Sequence, residues 1–379
     1  MYDVIVVGAR CAGASIAMLL SRQGRRVLLL DRAGLPADTV STLLIQQPGL
    51  LRLHQWGLLD DILATGAPVL SRASVTAGAV RLTGTAPVLD PTRGPCAPRR
   101  YALDQILLDA AIAAGALFRP RANVSDLHWD GGRVAGVVHT TPSGRRTLER
   151  ATLVIGADGR HSTVAKLVGA AYLRHTPPVT RAIYTYYSGL PQQGLSFYSG
   201  VRNSAVCLPT QDGLTLVNTT IPHYPANRDV QGSREEIYRT MIRRLSQELH
   251  ESLAQARRHD RLYYCTDLPN FFRQPYGPGW VLAGDAAHHK DPLPATGISD
   301  AFAQADQLAC LLTGPLDDHA HVAARLAGYA DYLRRGFTPT YERILAIPHR
   351  EGVMHQAIHD NQHNPHFVND WMNRFAGLR

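Results

Sequence analysis

A hydrophobic strand that runs straight into a glycine turn opens this chain, and the same arrangement recurs twice further on. Tyr2-Asp3-Val4-Ile5-Val6-Val7 leads into Gly8-Ala9-Arg10-Cys11-Ala12-Gly13. Gly8 makes the tight turn out of the strand, and Gly13 lets the following helix, about residues 12–22, pack closely on the sheet. Free N–H groups at that helix start, together with its dipole, favour an anion such as a dinucleotide pyrophosphate. Val27-Leu28-Leu29-Leu30 supplies the second strand, and Asp31 ends it where a carboxylate accepts hydrogen bonds from ribose hydroxyls. The middle glycine of the fingerprint is replaced by Arg10.

The second strand end is Ala151-Thr152-Leu153-Val154-Ile155 followed by Gly156-Ala157-Asp158-Gly159, with Ser162 beginning a helix toward Gly169. Taken alone, Asp158 or Ser162 reads as a helix cap; beside the other two motifs it reads as a ligand contact. The third is Trp280-Val281-Leu282-Ala283 followed by Gly284-Asp285-Ala286-Ala287-His288, then Pro292 and Gly297. The alanine-rich run from Ile298 to Leu312 reads as a helix whose N–H groups point at whatever is bound there. Arg100 stands at the start of an amphipathic helix marked by Leu103, Ile106, Leu107 and Ala110. A cation is unfavourable at that end of the dipole, which points to an anionic or polar partner, or else to solvation. Arg10 is likewise read in two ways: a solvated surface residue, or a guanidinium that reaches the ligand.

Taken together, these residues resemble the single-component flavoprotein monooxygenases of the aromatic-hydroxylase fold, with the related geranylgeranyl reductases and flavin-dependent halogenases. Gly8, Gly13 and Asp31 match the dinucleotide fingerprint, and Arg100 matches an arginine that opens a flavin-contacting helix. Asp158-Gly159 and Gly284-Asp285 with His288, Pro292 and Gly297 match the two later motifs. The resemblance implies one FAD, held non-covalently, with Cys11, Ala12, Arg32 and Ile298 as neighbouring contacts beside Arg10 and the residues just named. It implies that Asp285 binds the ribityl chain and that Pro292, Gly297 and Ile298 lie near the ring. The flavin then does the chemistry, so no catalytic side chain is assigned, His288 included. Reduced flavin carries negative charge, which a helix N-terminus stabilises.

The implied reaction is hydroxylation or epoxidation of an electron-rich small molecule by reduced FAD and oxygen. NAD(P)H serves as a transient co-substrate, since no second glycine fingerprint exists. Alternatives are C=C reduction or desaturation without oxygen insertion, and a flavin-binding sensor without turnover. Arg10 in place of a glycine, and Ser299-Asp300 where many hydroxylases carry Asn, are departures that bear on substrate type. The halogenase marker Trp-x-Trp-x-Ile-Pro is absent, whereas Ser41-Thr42 resembles the reductases.

The expected fold is α/β: a doubly wound FAD-binding domain, an inserted and mostly antiparallel β-sheet substrate domain, and C-terminal helices. Residues 1–70, 101–170 and 276–340 are assigned to the first, 71–100 and 171–275 to the second, and 341–379 to the third. Within the insert, Ile183–Tyr187 is rich in tyrosine, which is either plain strand propensity or a substrate pocket made by Tyr184 and Tyr186. At 379 residues the chain can bury a large core. Its five cysteines are scattered, which suits reduced thiols and a cytoplasmic location. No apolar run approaches the roughly 18 residues of a membrane span, and no basic leader precedes the first strand. The net charge of +8 is almost all arginine, since only Lys166 and Lys290 are lysine. It is dispersed, with no nucleic-acid motif, and it suits an acidic substrate, NADPH or a substrate carried on a carrier protein. His355, His359 and His363 share a helical spacing that zinc can use, but no Cys or acidic companion joins them, and no metal is expected. Oligomeric state has no signature here.

Overall fold

The computed structural model describes residues 1–34, 41, 43–87, 89, 91–224, 227 and 230–375. Thr42 of the Ser41-Thr42 pair lies outside them. The larger half is built on a parallel stack of strands in the spatial order Leu117–Arg119, Val27–Leu30, Tyr2–Val7, Arg146–Gly156, Trp280–Leu282, with Tyr276–Gly277 antiparallel at the far edge. The register aligns Val7 with both Leu30 and Gly156, so the successive strand ends lie side by side. Val4–Val7 and Val27–Leu30 are buried throughout, because helices cover both faces of a parallel sheet. Arg146–Gly156 is long enough to serve two partners. Its first half pairs antiparallel with Arg133–Thr140, and from Ala151 onward it pairs with the first strand.

Helix Cys11–Arg22 packs between helices Arg100–Ala113 and Gly297–Leu311. Its start is fixed by a close backbone approach: a Cβ on Gly13 would lie 1.7 Å from the Gly8 carbonyl oxygen. Gly8 itself has φ +99°, and a Cβ there would meet the Ala157 carbonyl oxygen at 2.4 Å. Arg10 sits between them with φ −95°, ordinary extended backbone, so the middle fingerprint position tolerates a side chain.

The second sheet runs Arg257–Arg258, Thr180–Ser188, Leu214–Pro222, Ser204–Pro209, Leu195–Ser199, Arg72–Ala77, Val80–Thr85, with Tyr263–Cys265 also on Thr180–Ser188. All its pairings are antiparallel except that of Leu195–Ser199 with Arg72–Ala77. The turn into Leu214 has Asp212 and Gly213 both at positive φ, as a two-residue hairpin needs. Period-two alternation gives this sheet two cores. Tyr184 and Tyr186 pack with Leu195, Leu208 and Leu216, while Ile183, Tyr187 and Val217 pack under Tyr238, Met241 and Ile242. The latter belong to helix Arg234–Leu245, which stops at Ser246 before a second helix, Gln247–Gln255. Ser246 is extended and caps the second helix, accepting from the Leu249 N–H.

A three-stranded sheet of Tyr172–Thr176, Asn270–Arg273 and His288–His289 joins the halves. Helix His319–Leu345 is continuous, so the boundary expected at residue 340 falls inside it. Helix packing on Tyr329, Phe337 and Tyr341 carries the chain past that point. Helices Val353–Asp360 and Phe367–Phe375 then cover strands 72–77 and 80–85. Val353–Asp360 ends before His363, and the described residues hold no cluster of metal-ligating side chains. No helix among them is long and apolar enough to cross a membrane.

Replacing a helical glycine by alanine normally gains up to about 1 kcal/mol from backbone entropy. At Gly13 the 1.7 Å approach must be relieved by moving backbone, an overpacking cost of about 1–3 kcal/mol or more. The overlap wins: Gly13→Ala is expected to lower the denaturant midpoint of the protein. An unchanged or raised midpoint would show that the turn and helix are not locked together.

Candidate active site

A cleft of about 590 Å³ opens across the carboxyl ends of the parallel strands, where an open α/β sheet binds its ligand. Gly8, Arg10, Cys11, Ala12, Asp31, Arg32, Arg100, Asp158, Gly159, Gly284, Asp285, Pro292, Gly297, Ile298 and Tyr184 all line it. Gly13 does not; it works from behind, through its contact with Gly8. Tyr186 is not on the cleft either. It shares the sheet face of Tyr184, ring to ring at 6.1 Å, but lies further along the strand, with the Arg99 guanidinium 3.9 Å from its ring centre.

Asp31 is buried, and both its oxygens are in use: one accepts from the Ala9 N–H at 2.8 Å, the other from the Ala33 N–H at 2.8 Å. The carboxylate thereby ties the glycine turn to the next strand end, and each oxygen keeps a further lone pair.

Arg10 and Arg100 meet on one residue that the motifs did not single out. Asp104, fully buried, accepts from Arg100 Nε at 3.2 Å and Nη2 at 2.9 Å, and from Arg10 Nη1 at 2.9 Å. The anionic partner expected for Arg100 is thus four residues along its own helix, a spacing that helical geometry brings together. Burial pulls the Arg100 guanidinium down, but the carboxylates of Asp104 and Asp285 push it up, and the net shift is upward. Cys11, its Sγ 3.5 Å from Asp104, is pushed up to about 12 by burial, so it stays a thiol. Arg10 takes neither of its expected roles alone: it lines the cleft while paired to Asp104.

Asp158 is a helix cap as well as a cleft residue. Its carboxylate accepts from Ser162 Oγ at 2.5 Å and from the Thr163 and Val164 N–H groups at 2.6 and 3.2 Å. Ser162 in turn caps Ala165. Gly284 adopts φ +60° and lies so near Ala12 that a Cβ would approach that methyl to 2.9 Å. Its N–H donates to Gln304, whose oxygen also accepts from the buried Tyr329 hydroxyl. Asp285, next to it, is exposed into the cleft.

Two helix N-termini face this space without side-chain caps: Cys11–Arg22 after Arg10, and Gly297–Leu311 after Thr296. Their first N–H groups are free for an anion. Gly159 and Gly297 line the cleft with open space where a Cβ would stand. An elongated, anionic dinucleotide fits this donor set: the first helix end would receive its pyrophosphate, Asp31 and Asp285 its hydroxyls, and Pro292–Ile298 its planar ring.

Lys290, on the same wall, was not anticipated as a site residue. It is buried and ion-paired with Asp300 in the first turn of Gly297–Leu311, and Asp300 also accepts from the Thr296 hydroxyl at 3.2 Å. The only clue in the sequence was a lone lysine between His289 and Asp291 in an arginine-rich chain. His288 stacks on Phe272 at 4.0 Å and hydrogen-bonds through Nδ1 to the Phe271 carbonyl. Burial, with Lys290 adding to it, holds His288 well below its ordinary value, so it is neutral.

Removing Asp104 would leave Arg100 buried without a partner, a loss of about 3–5 kcal/mol. Asp104→Ala is expected to show it as lowered stability in urea; a change under ~1 kcal/mol would mean that solvent satisfies both arginines. His288 gives a pH signature. Below its ordinary value of 6.5 the unfolded chain binds a proton here that the folded chain refuses. Unfolding free energy therefore falls as pH falls, by up to about 1.4 kcal/mol per unit. His288→Gln should flatten the stability curve between pH 6.5 and acid by that amount; an unaltered slope would contradict a neutral His288.

Comparison with known proteins agrees with this geometry. A kynurenine 3-monooxygenase of Salinispora tropica is 24% identical over 381 residues, spanning 94% of this chain and 83% of its own. A 6-methylpretetramide 4-monooxygenase of Streptomyces rimosus is 25% identical over 327 residues, covering 80% of this chain and 73% of its own. Among solved structures, the flavin-dependent brominase Bmp2 superposes with a TM-score of 0.83 at 18% identity, covering 99% of this chain and 93% of the brominase, a likeness of fold. The FAD binding domain model matches residues 1–329. A protein whose cleft offers a dinucleotide these helix ends and carboxylates, and whose sequence carries that domain over most of its length, is an FAD-dependent oxidoreductase of the FAD-binding-domain family.

Proposed function

We propose that this flavoprotein is a monooxygenase, taking electrons from NAD(P)H and transferring one oxygen atom to an electron-rich small organic molecule. The observation that carries the reading is a small apolar recess of about 50 Å³ that opens off the cleft at Pro292, so that a bound molecule would extend from the recess into the wider cleft. It shares Ala182, Asn218, Pro292 and Ala295 with the cleft and is otherwise lined by residues such as Leu195, Phe197, Leu208, Leu293 and Trp371. Support for oxygen transfer comes from the two relatives that bear monooxygenase names along four-fifths or more of this chain.

Each half of the protein has its task. Gly8, Arg10, Cys11, Ala12, Asp31, Arg32, Arg100, Asp158, Gly159, Gly284 and Asp285 would hold FAD, with Pro292, Gly297 and Ile298 at the ring. When bound, FAD supplies the redox and oxygen chemistry. The chain's own work is to orient a substrate and keep water out. Leu195, Phe197 and Trp371 form apolar walls, and the Phe197 and Trp371 rings lie 5.5 Å apart. Asn218 and Thr220 offer polar atoms to a substrate, their own amide and hydroxyl already 3.1 Å apart. Tyr184, stacked on Tyr263 at 4.9 Å, gives the cleft itself a rigid aromatic wall. Excluding water protects a reactive oxygen donor from wasteful breakdown.

Incubation with NADH or NADPH, labelled dioxygen and aromatic candidates, offered free and as carrier-protein thioesters, tests the reading. One labelled oxygen atom in the product is expected. A reduced or desaturated product without label would replace the assignment by a reductase or desaturase. A bound flavin that neither pyridine nucleotide reduces, whatever candidate is present, would leave a sensor.

A further inference from the structure

Burying an ammonium is costly unless it is paired, and this chain buries one of its two lysines at the end of the cleft assigned to the ring. Lys290 has its side chain 6% exposed, sits on the cleft wall, and is held by Asp300. Groups on every neighbouring element fix what it faces. Asp300 comes from helix Gly297–Leu311, and Asp285, whose charge Lys290 senses, from the turn after Trp280–Leu282. The Phe337 ring centre, from helix His319–Leu345, lies 5.5 Å away. His288 on its own strand is neutral. His289 bonds through Nδ1 to the Pro269 carbonyl, and Asp291 is taken up by the Thr180 hydroxyl and the Leu293 N–H.

Asp300 occupies the first turn of the helix whose uncapped N-terminus opens on the ring site. Alone it would suit that helix dipole yet repel an anion placed there, and Asp285 would add to the repulsion. The ion pair cancels the first charge and draws Asp300 onto Thr296. We propose that Lys290 sets the electron affinity of the bound flavin: by neutralising Asp300 it leaves the Thr296–Gly297 helix end free to stabilise the negatively charged reduced ring over the neutral oxidised one. Hydride transfer from a nicotinamide adds two electrons and one proton to the ring, which becomes the monoanion. Lys290 gives up no proton; it is a positioning residue that acts through Asp300 and the helix end.

The inference rests on FAD binding and not on oxygen transfer, so it is tested without oxygen or substrate. The readout is the midpoint potential of FAD in the holoprotein, measured anaerobically against a reference dye. Lys290→Met should shift it at least about 30 mV more negative, a tenfold loss in preference for the reduced form in a two-electron couple. Asp300→Asn should shift it the other way, the double variant should return toward the parent, and Lys290→Arg should lie near the parent. Burial draws the Lys290 ammonium down to about 8 against the pull of Asp285, so the parent's potential should fall more steeply above that pH, and the Met variant's should not. A purely structural lysine would weaken oxidised and reduced FAD alike and would not be rescued by the second substitution. An unchanged potential in Lys290→Met, or shifts of the same sign in Lys290→Met and Asp300→Asn, overturns the proposal. If Lys290→Met does not fold, an Asp300→Asn protein with the parent's potential does so.

Discussion

The contact of Gly13 with the Gly8 carbonyl is the constraint on which the rest of the structure hangs. It seats the first turn of helix Cys11–Arg22 directly on the end of the first strand. Once that helix start is fixed, its neighbours have no freedom. The Ala9 N–H meets Asp31 at the end of the second strand, and Ala12 receives Gly284 at the end of the fifth. Three distant segments of sequence therefore converge on one helix terminus that, among the described residues, carries no side-chain cap. An anionic ligand completes what the backbone leaves open.

Charge in the cleft is arranged in compensated sets. Asp104 balances Arg10 and Arg100, and Lys290 balances Asp300, while Arg32 and Asp285 stand exposed. Buried charges of this kind add little to stability compared with apolar packing. Their effect is to fix where the field points. The Asp104 set holds two guanidiniums near the first helix start, and the Lys290 set pairs a carboxylate in the first turn of the second helix. The apolar recess beside Pro292 is lined largely by strands of the second sheet and shares one wall with the cleft.

The strand-end motifs were legible in the sequence because each encodes a local necessity. Gly8 needs positive φ, Gly13 needs no side chain, and Asp31 needs to end a strand. Hydrophobic runs gave the parallel strands for the same reason. The positions that the sequence left open are those whose partners or neighbours folding supplies. Arg100 was read against the helix dipole, yet its i+4 neighbour Asp104 was within reach of the same reasoning. Tyr186 shares its face with Tyr184, but strand direction carries it away from the cleft. Asp158 proved to be both cap and cleft residue, two readings that looked exclusive and are not.

By itself the sequence determined a strand, a glycine turn and a helix start of the kind that receives a dinucleotide, because glycine spacing and strand hydrophobicity act over a few residues. Only the tertiary structure decided that Lys290 would be buried beside Asp300, that His288 would be neutral, and that Trp371 would reach the recess from the far end of the chain. Each of these depends on which elements pack together, and therefore on how far a charge or ring is taken from water. Burial and long-range pairing are properties of the packed whole, and no spacing along the chain encodes them.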